Sequence, residues 1–90
     1  MELDKKLKIR NKLGLHARAA AKIVEISNQY ESRLFLKKNN REVDGRNILS
    51  ILTLSCPMGT EIEVRIEGED SESFMEKLCE LFEQKFGESR

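Results

Sequence analysis

The segment EIEVRIEG constrains the fold most, because Ile62, Val64 and Ile66 alternate strictly with charged residues. A period of two puts the apolar side chains on one face of a strand and the charges on the other. Such a strand requires a sheet with one covered face. Leu7 and Ile9 repeat the pattern, as do Leu34 and Leu36. Asn39 and Asn40 lie between extended segments and tolerate the positive φ of a tight turn, so residues 33–44 read as a hairpin.

Helical periods supply the cover. Ala20, Ile23 and Val24 form an apolar stripe on a helix of roughly three turns. Phe74, Met75, Leu78, Leu81, Phe82 and Phe86 trace a longer stripe, with Asp70 or Ser71 as its N-cap and Gly87 as its stop. In NILSILTL, Asn47 offers a cap, and Ile48, Ile51 and Leu54 at helical spacing favour a short helix over a strand. The expected order is β-α-β-β-α-β-α. This is an α+β open-faced β-sandwich, a four-stranded antiparallel sheet with three helices on one face.

Ninety residues without a linker, repeat or low-complexity stretch make one domain over 1–90, too small for a roomy enclosed cavity, so function is expected on a surface. Acidic and basic side chains balance at sixteen each, which argues against nucleic-acid binding by charge. The absence of a signal-like or membrane-spanning apolar run leads to the expectation of a soluble cytoplasmic protein without membrane insertion. Cys56 and Cys79 lack paired CxxC spacing and read as buried or partly buried free thiols.

The segment LGLHARAA holds the only histidine. Gly14 permits a sharp turn, and His16 falls where the first strand passes to the first helix. Histidine is a poor N-cap, and no Ser, Thr, Asp or Asn stands immediately before Ala17, so another acceptor is expected at this helix start. Unpaired first-turn amides and the positive end of the helix dipole favour an anion there. Arg18 adds a fork suited to phosphate oxygens, while Ala17, Ala19 and Ala20 add no competing bulk. A neutral imidazole in such a cradle can attack phosphorus and form a phosphohistidine. One histidine without partner ligands does not make a metal site, and nothing suggests the cleft of a Ser-His-Asp hydrolase. No cofactor is expected.

The stretch NKLGLHARAAAKIVEIS resembles the active-site segment of the HPr family, the histidine-containing phosphocarriers of the bacterial phosphoenolpyruvate-dependent phosphotransferase system. EVDGRNILSILTLSCPMGTEIEVRIEG resembles the family's second signature region, and the likeness spans nearly the whole chain. The resemblance implies that His16 accepts a phosphoryl group from enzyme I on Nδ1 and passes it to an enzyme IIA-type domain, with Arg18 and first-turn amides such as that of Ala17 holding the phosphate. It also implies a partner surface of Ala17, Ala20, Ala21, Ile48, Leu49 and Leu52. Helical geometry directs Ile51 and Leu54 inward, leaving part of the 48, 49 and 52 surface exposed.

Two positions depart from the family pattern. Ala19 stands where many members have proline, which restores an N–H without preventing a helix start. Asn47 stands where many members carry a serine modified by a regulatory kinase; Asn keeps the cap and lacks the hydroxyl. NKLG and ELFEQKF also resemble the nitrogen-related branch, whose members serve regulatory relays. Two other classes remain open: a regulatory binding module acting through its apolar patch with His16 incidental, and an RNA-binding α+β domain. Scarce aromatics and balanced charge count against the latter. A monomer is the simplest assembly.

Overall fold

A computed structural model describes residues 1–90. The chain runs β1 (Glu2–Lys8), α1 (Ala17–Ser27), β2 (Arg33–Lys38), β3 (Arg41–Asp44), α2 (Ile48–Leu52), β4 (Glu61–Glu67) and α3 (Ser71–Glu83), then a single 3-10 turn at Lys85–Gly87. The four strands form an antiparallel sheet ordered β1-β4-β2-β3, the expected open-faced arrangement.

The period of two decides the sheet faces. Leu34, Leu36, Val43, Ile62, Val64 and Ile66 are buried on the helix side, where Ile23, Ile51, Phe74, Leu78 and Phe82 complete one core. On the opposite face the Arg65 guanidinium lies 4.3 Å from the Phe35 ring centroid and bonds Glu42 at 2.9 Å, so even the open face has polar order. Asn39 adopts φ 56° in the β2–β3 turn, the conformation for which an asparagine is suited.

Each helix start is built differently. Asn47 caps α2 as expected, its Oδ1 accepting from the Ser50 amide at 3.1 Å. Asp70 occupies the cap position of α3, but its carboxylate does not bond that helix. It accepts instead from the amides of Glu31 and Ser32, each at 2.9 Å, and from the Ser32 hydroxyl, tying α3 to the approach to β2.

The end of α3 differs from the expected continuous stripe. The helix closes at Glu83, before Phe86 and Gly87 are reached, because Lys85 and Phe86 take φ 56° and 57° and reverse the chain. Phe86 still enters the core, its ring 4.9 Å from that of Phe82. The apolar residue was legible, whereas the left-handed backbone that delivers it was not. Both cysteines are free, Cys56 buried and Cys79 half-buried. Burial pushes the Cys56 thiol up, and the Lys38 charge partly offsets that rise. No helix is long and apolar enough to cross a membrane.

Candidate functional site

The loop before α1 is shaped by Gly14. Its φ of 72° suits glycine, and a Cβ there would lie 2.6 Å from the Cys56 carbonyl oxygen. That close approach allows the Leu15 amide to bond Cys56 O at 2.8 Å, so the loop bearing Cys56 and Pro57 buttresses the segment that carries the histidine. Asn11, fully buried, closes the turn from the other side by donating to Gly14 O at 2.7 Å.

His16 is itself the N-cap of α1, which corrects the expectation of a different acceptor. Its backbone is extended, with φ −81° and ψ 178°, and Nδ1 accepts from the Arg18 amide at 3.3 Å. Histidine serves here because an imidazole nitrogen reaches the second amide of the helix much as a serine oxygen does. The amides of Ala17 and Ala19 have no partner within the protein, and no acidic side chain occupies the first turn. The helix start therefore keeps donors and positive potential beside Nδ1.

The other ring nitrogen is also engaged. Nε2 faces Glu88 Oε2, and Asn11 Nδ2 donates to the second carboxylate oxygen at 2.9 Å. Burial is the largest influence on the Glu88 carboxyl and pushes its pKa up. The hydrogen bonds from Asn11 and His16, with the charges of His16 and Arg18, outweigh it and hold the group below the ordinary carboxylate value. Asn11 and Glu88 were both missed in the sequence. Glu88 lies 72 positions from the histidine and follows a glycine that read only as a helix stop. Asn11 offered no signal beyond its place in a turn.

Arg18 is exposed and lines a cleft of about 620 Å³ with Lys12, Lys22, Arg90 and Glu88. Four cations around one acid make this side of the site attractive to an anion. Around it, Ala17 and Ala21 are exposed, Ile48 and Leu52 are half-buried, and Leu49 is 72% exposed. Ile51 and Leu54 are buried, as their spacing required. Ala20 is a correction: it is fully buried among the residues beneath α1 and cannot offer its side chain to a partner. The i, i+3 relation to Ile23 already placed it on the inward stripe. Leu13, exposed and lining the cleft, is a further apolar surface residue, one that no periodicity in the sequence marks.

A small α+β domain that sets a histidine on an open helix start beside an arginine and a cation-lined cleft defines a class of surface site suited to an anion. Comparison gives the family. The profile described as PTS HPr component phosphorylation site matches residues 3–84. A phosphocarrier protein HPr of Xylella fastidiosa (strain Temecula1) is 44% identical over 96% of this chain and 97% of its own. A phosphocarrier protein NPr of Shewanella violacea is 30% identical over 98% of this chain and 97% of its own. In structure, the HPr-C-His crystal structure from Thermoanaerobacter tengcongensis superposes with a TM-score of 0.93 at 34% identity, covering 98% and 99% of the two chains. This chain belongs to the HPr family of phosphocarrier proteins of the phosphotransferase system.

Proposed function

We propose that this protein is a transient carrier of a phosphoryl group on His16, loaded by enzyme I with phosphate originating from phosphoenolpyruvate and unloaded onto an enzyme IIA-type domain, in sugar uptake or a regulatory relay. The observation that carries the reading is the placement of His16 Nδ1 against the Arg18 amide at an α1 start whose Ala17 and Ala19 amides are unpartnered. A phosphoryl group on Nδ1 meets those donors, the helix dipole and the exposed Arg18 fork together. In this reading a partner's active site completes the chemistry, since the cleft beside Arg18 is open and Glu88 is its one lining carboxylate side chain.

The partner surface in this reading comprises Ala17, Ala21, Ile48, Leu49 and Leu52 around His16, with Leu13 added at its rim. One domain over residues 1–90, acting as a monomer in the cytoplasm, is sufficient for the role. Asn47 caps α2 without offering a hydroxyl to a serine kinase. Incubation with phosphoenolpyruvate and catalytic enzyme I is expected to add one acid-labile, base-stable phosphate, absent from His16→Ala. Labelling that persists in that variant overturns the proposal.

A further inference from the structure

The two nitrogens of His16 face partners with opposite demands. A backbone N–H, that of Arg18, can only donate, so Nδ1 must present a lone pair to it. An ionised carboxylate, that of Glu88, can only accept, so Nε2 must carry a proton toward it. The neutral ring has one tautomer that satisfies both. We propose that Glu88 is a positioning residue for His16: its carboxylate holds the Nε2 proton and thereby leaves Nδ1 as the nitrogen free to attack phosphorus. This rests on the carrier reading and adds to it a residue outside the matched span 3–84.

The tail is built to bring this carboxylate to the ring. Lys85 and Phe86 reverse the chain in left-handed conformations, at a cost of about 1–2 kcal/mol per residue. The buried Phe86 ring anchors the reversal, Lys22 Nζ donates to Phe86 O at 2.5 Å, and the Lys12 amide donates to Arg90 O at 3.0 Å. Asn11, fixed by Gly14 O, then orients the free carboxylate oxygen of Glu88. Carboxylate, imidazole and helix start are thus linked by consecutive hydrogen bonds. An acid that orients a histidine tautomer and faces its developing charge is a known arrangement in nucleophilic catalysis.

In the transfer step, the Nδ1 lone pair forms the N–P bond as the bond from phosphorus to the donor's leaving atom breaks, that electron pair departing with the donor. The ring gains positive charge while Nε2 keeps its proton, and Glu88 faces that charge without taking the proton. Donation to the acceptor reverses the sequence: the N–P electron pair returns to Nδ1.

The test uses the full chain with its imidazole labelled with nitrogen-15. With the ring neutral, the two-bond proton–nitrogen spectrum of the unaltered protein is expected to show Nε2 protonated and Nδ1 bare. Glu88→Ala, which empties no core position, is expected to mix the tautomers and to slow loading by phosphorylated enzyme I about tenfold, the scale of one lost charge-assisted hydrogen bond. Glu88→Gln, whose amide oxygen still accepts, should retain the tautomer and recover part of the rate. If the unaltered protein takes no phosphate, the carrier reading itself falls. If it is phosphorylated and Glu88→Ala alters neither tautomer nor rate, only the role of Glu88 falls. Faster loading of Glu88→Ala also overturns the proposal, since the carboxylate would then act as a block on the incoming anion.

Discussion

The starts of α1 and α3 both involve a carboxylate held below its ordinary pKa, yet the two are used differently. At α3, the Ser32 hydroxyl is the largest cause of the lowered Asp70 pKa, followed by the Glu31 amide. These donors do not titrate near neutrality, and two are backbone amides. At α1, Glu88 binds a side-chain amide and the imidazole of His16, while the helix's own first amides stay largely open. A carboxylate tied to backbone donors fastens two elements. A carboxylate tied to a ring nitrogen can govern what that ring does.

The contrast predicts that perturbing the α1 start changes chemistry and leaves the fold intact. The largest effect short of losing His16 is expected from Arg18→Ala, which in the proposed carrier role removes a charged contact to the phosphoryl group and should slow transfer roughly 10–100-fold, from about 1.5–3 kcal/mol of charge-assisted bonding. Thermal denaturation should show no comparable loss, because Arg18 is exposed. A transfer rate equal to that of the unaltered protein removes Arg18 from the mechanism.

A somewhat smaller effect is expected at the surface beside the site. Leu49→Asp should weaken enzyme I binding by about 1–2 kcal/mol, measured by calorimetric titration, with nearly unchanged Tm. The exposure of Leu49, 72%, is the reason for the second expectation. A large drop in Tm would mean that the residue contributes to the core in solution.

At α3 the sign reverses: stability should change and transfer should not. A carboxyl whose folded pKa is lowered stabilises the fold fully above its unfolded value and loses that contribution as pH falls through the folded value. For Asp70 the window lies from the ordinary value of 3.8 downward. Asp70→Asn should therefore lower stability at neutral pH and flatten the acid dependence in that window, read from denaturant midpoints across pH. An acid profile identical to that of the unaltered protein breaks the comparison. The smallest effect is expected from Asn47→Ser, a change of a few tenths of a kcal/mol between nearly equivalent caps. It should create a hydroxyl for a serine kinase, detected by mass spectrometry after incubation with ATP; modification of the unaltered protein at Ser50 would show that a regulatory site lies there instead.

How much was legible follows from how local each signal is. Asn47 revealed its role because a cap and its amide are separated by three residues, and Leu49 revealed its exposure because Ile51 and Leu54 claim the inward side of the same turn. The apolar character of Phe86 continues the helical stripe in the sequence, although the chain has already turned by that residue. Ala20 fits both the core stripe set by its spacing and the partner surface that the family resemblance implies, and its complete burial decides for the core.

The sequence by itself determined the alternation that makes one sheet face apolar, the helical stripes that cover it, and the histidine and arginine at the first helix start. Period and capping act over a few residues, so they can be read in a line of letters. Only the tertiary structure decided that His16 caps its own helix, that Asp70 fastens α3 to the Glu31–Ser32 backbone, and that Glu88 returns to His16 across 72 positions. The last two meetings depend on how helices seat on the sheet and on two left-handed residues at the end of the chain, and no local pattern in a sequence specifies where such a reversed tail comes to rest.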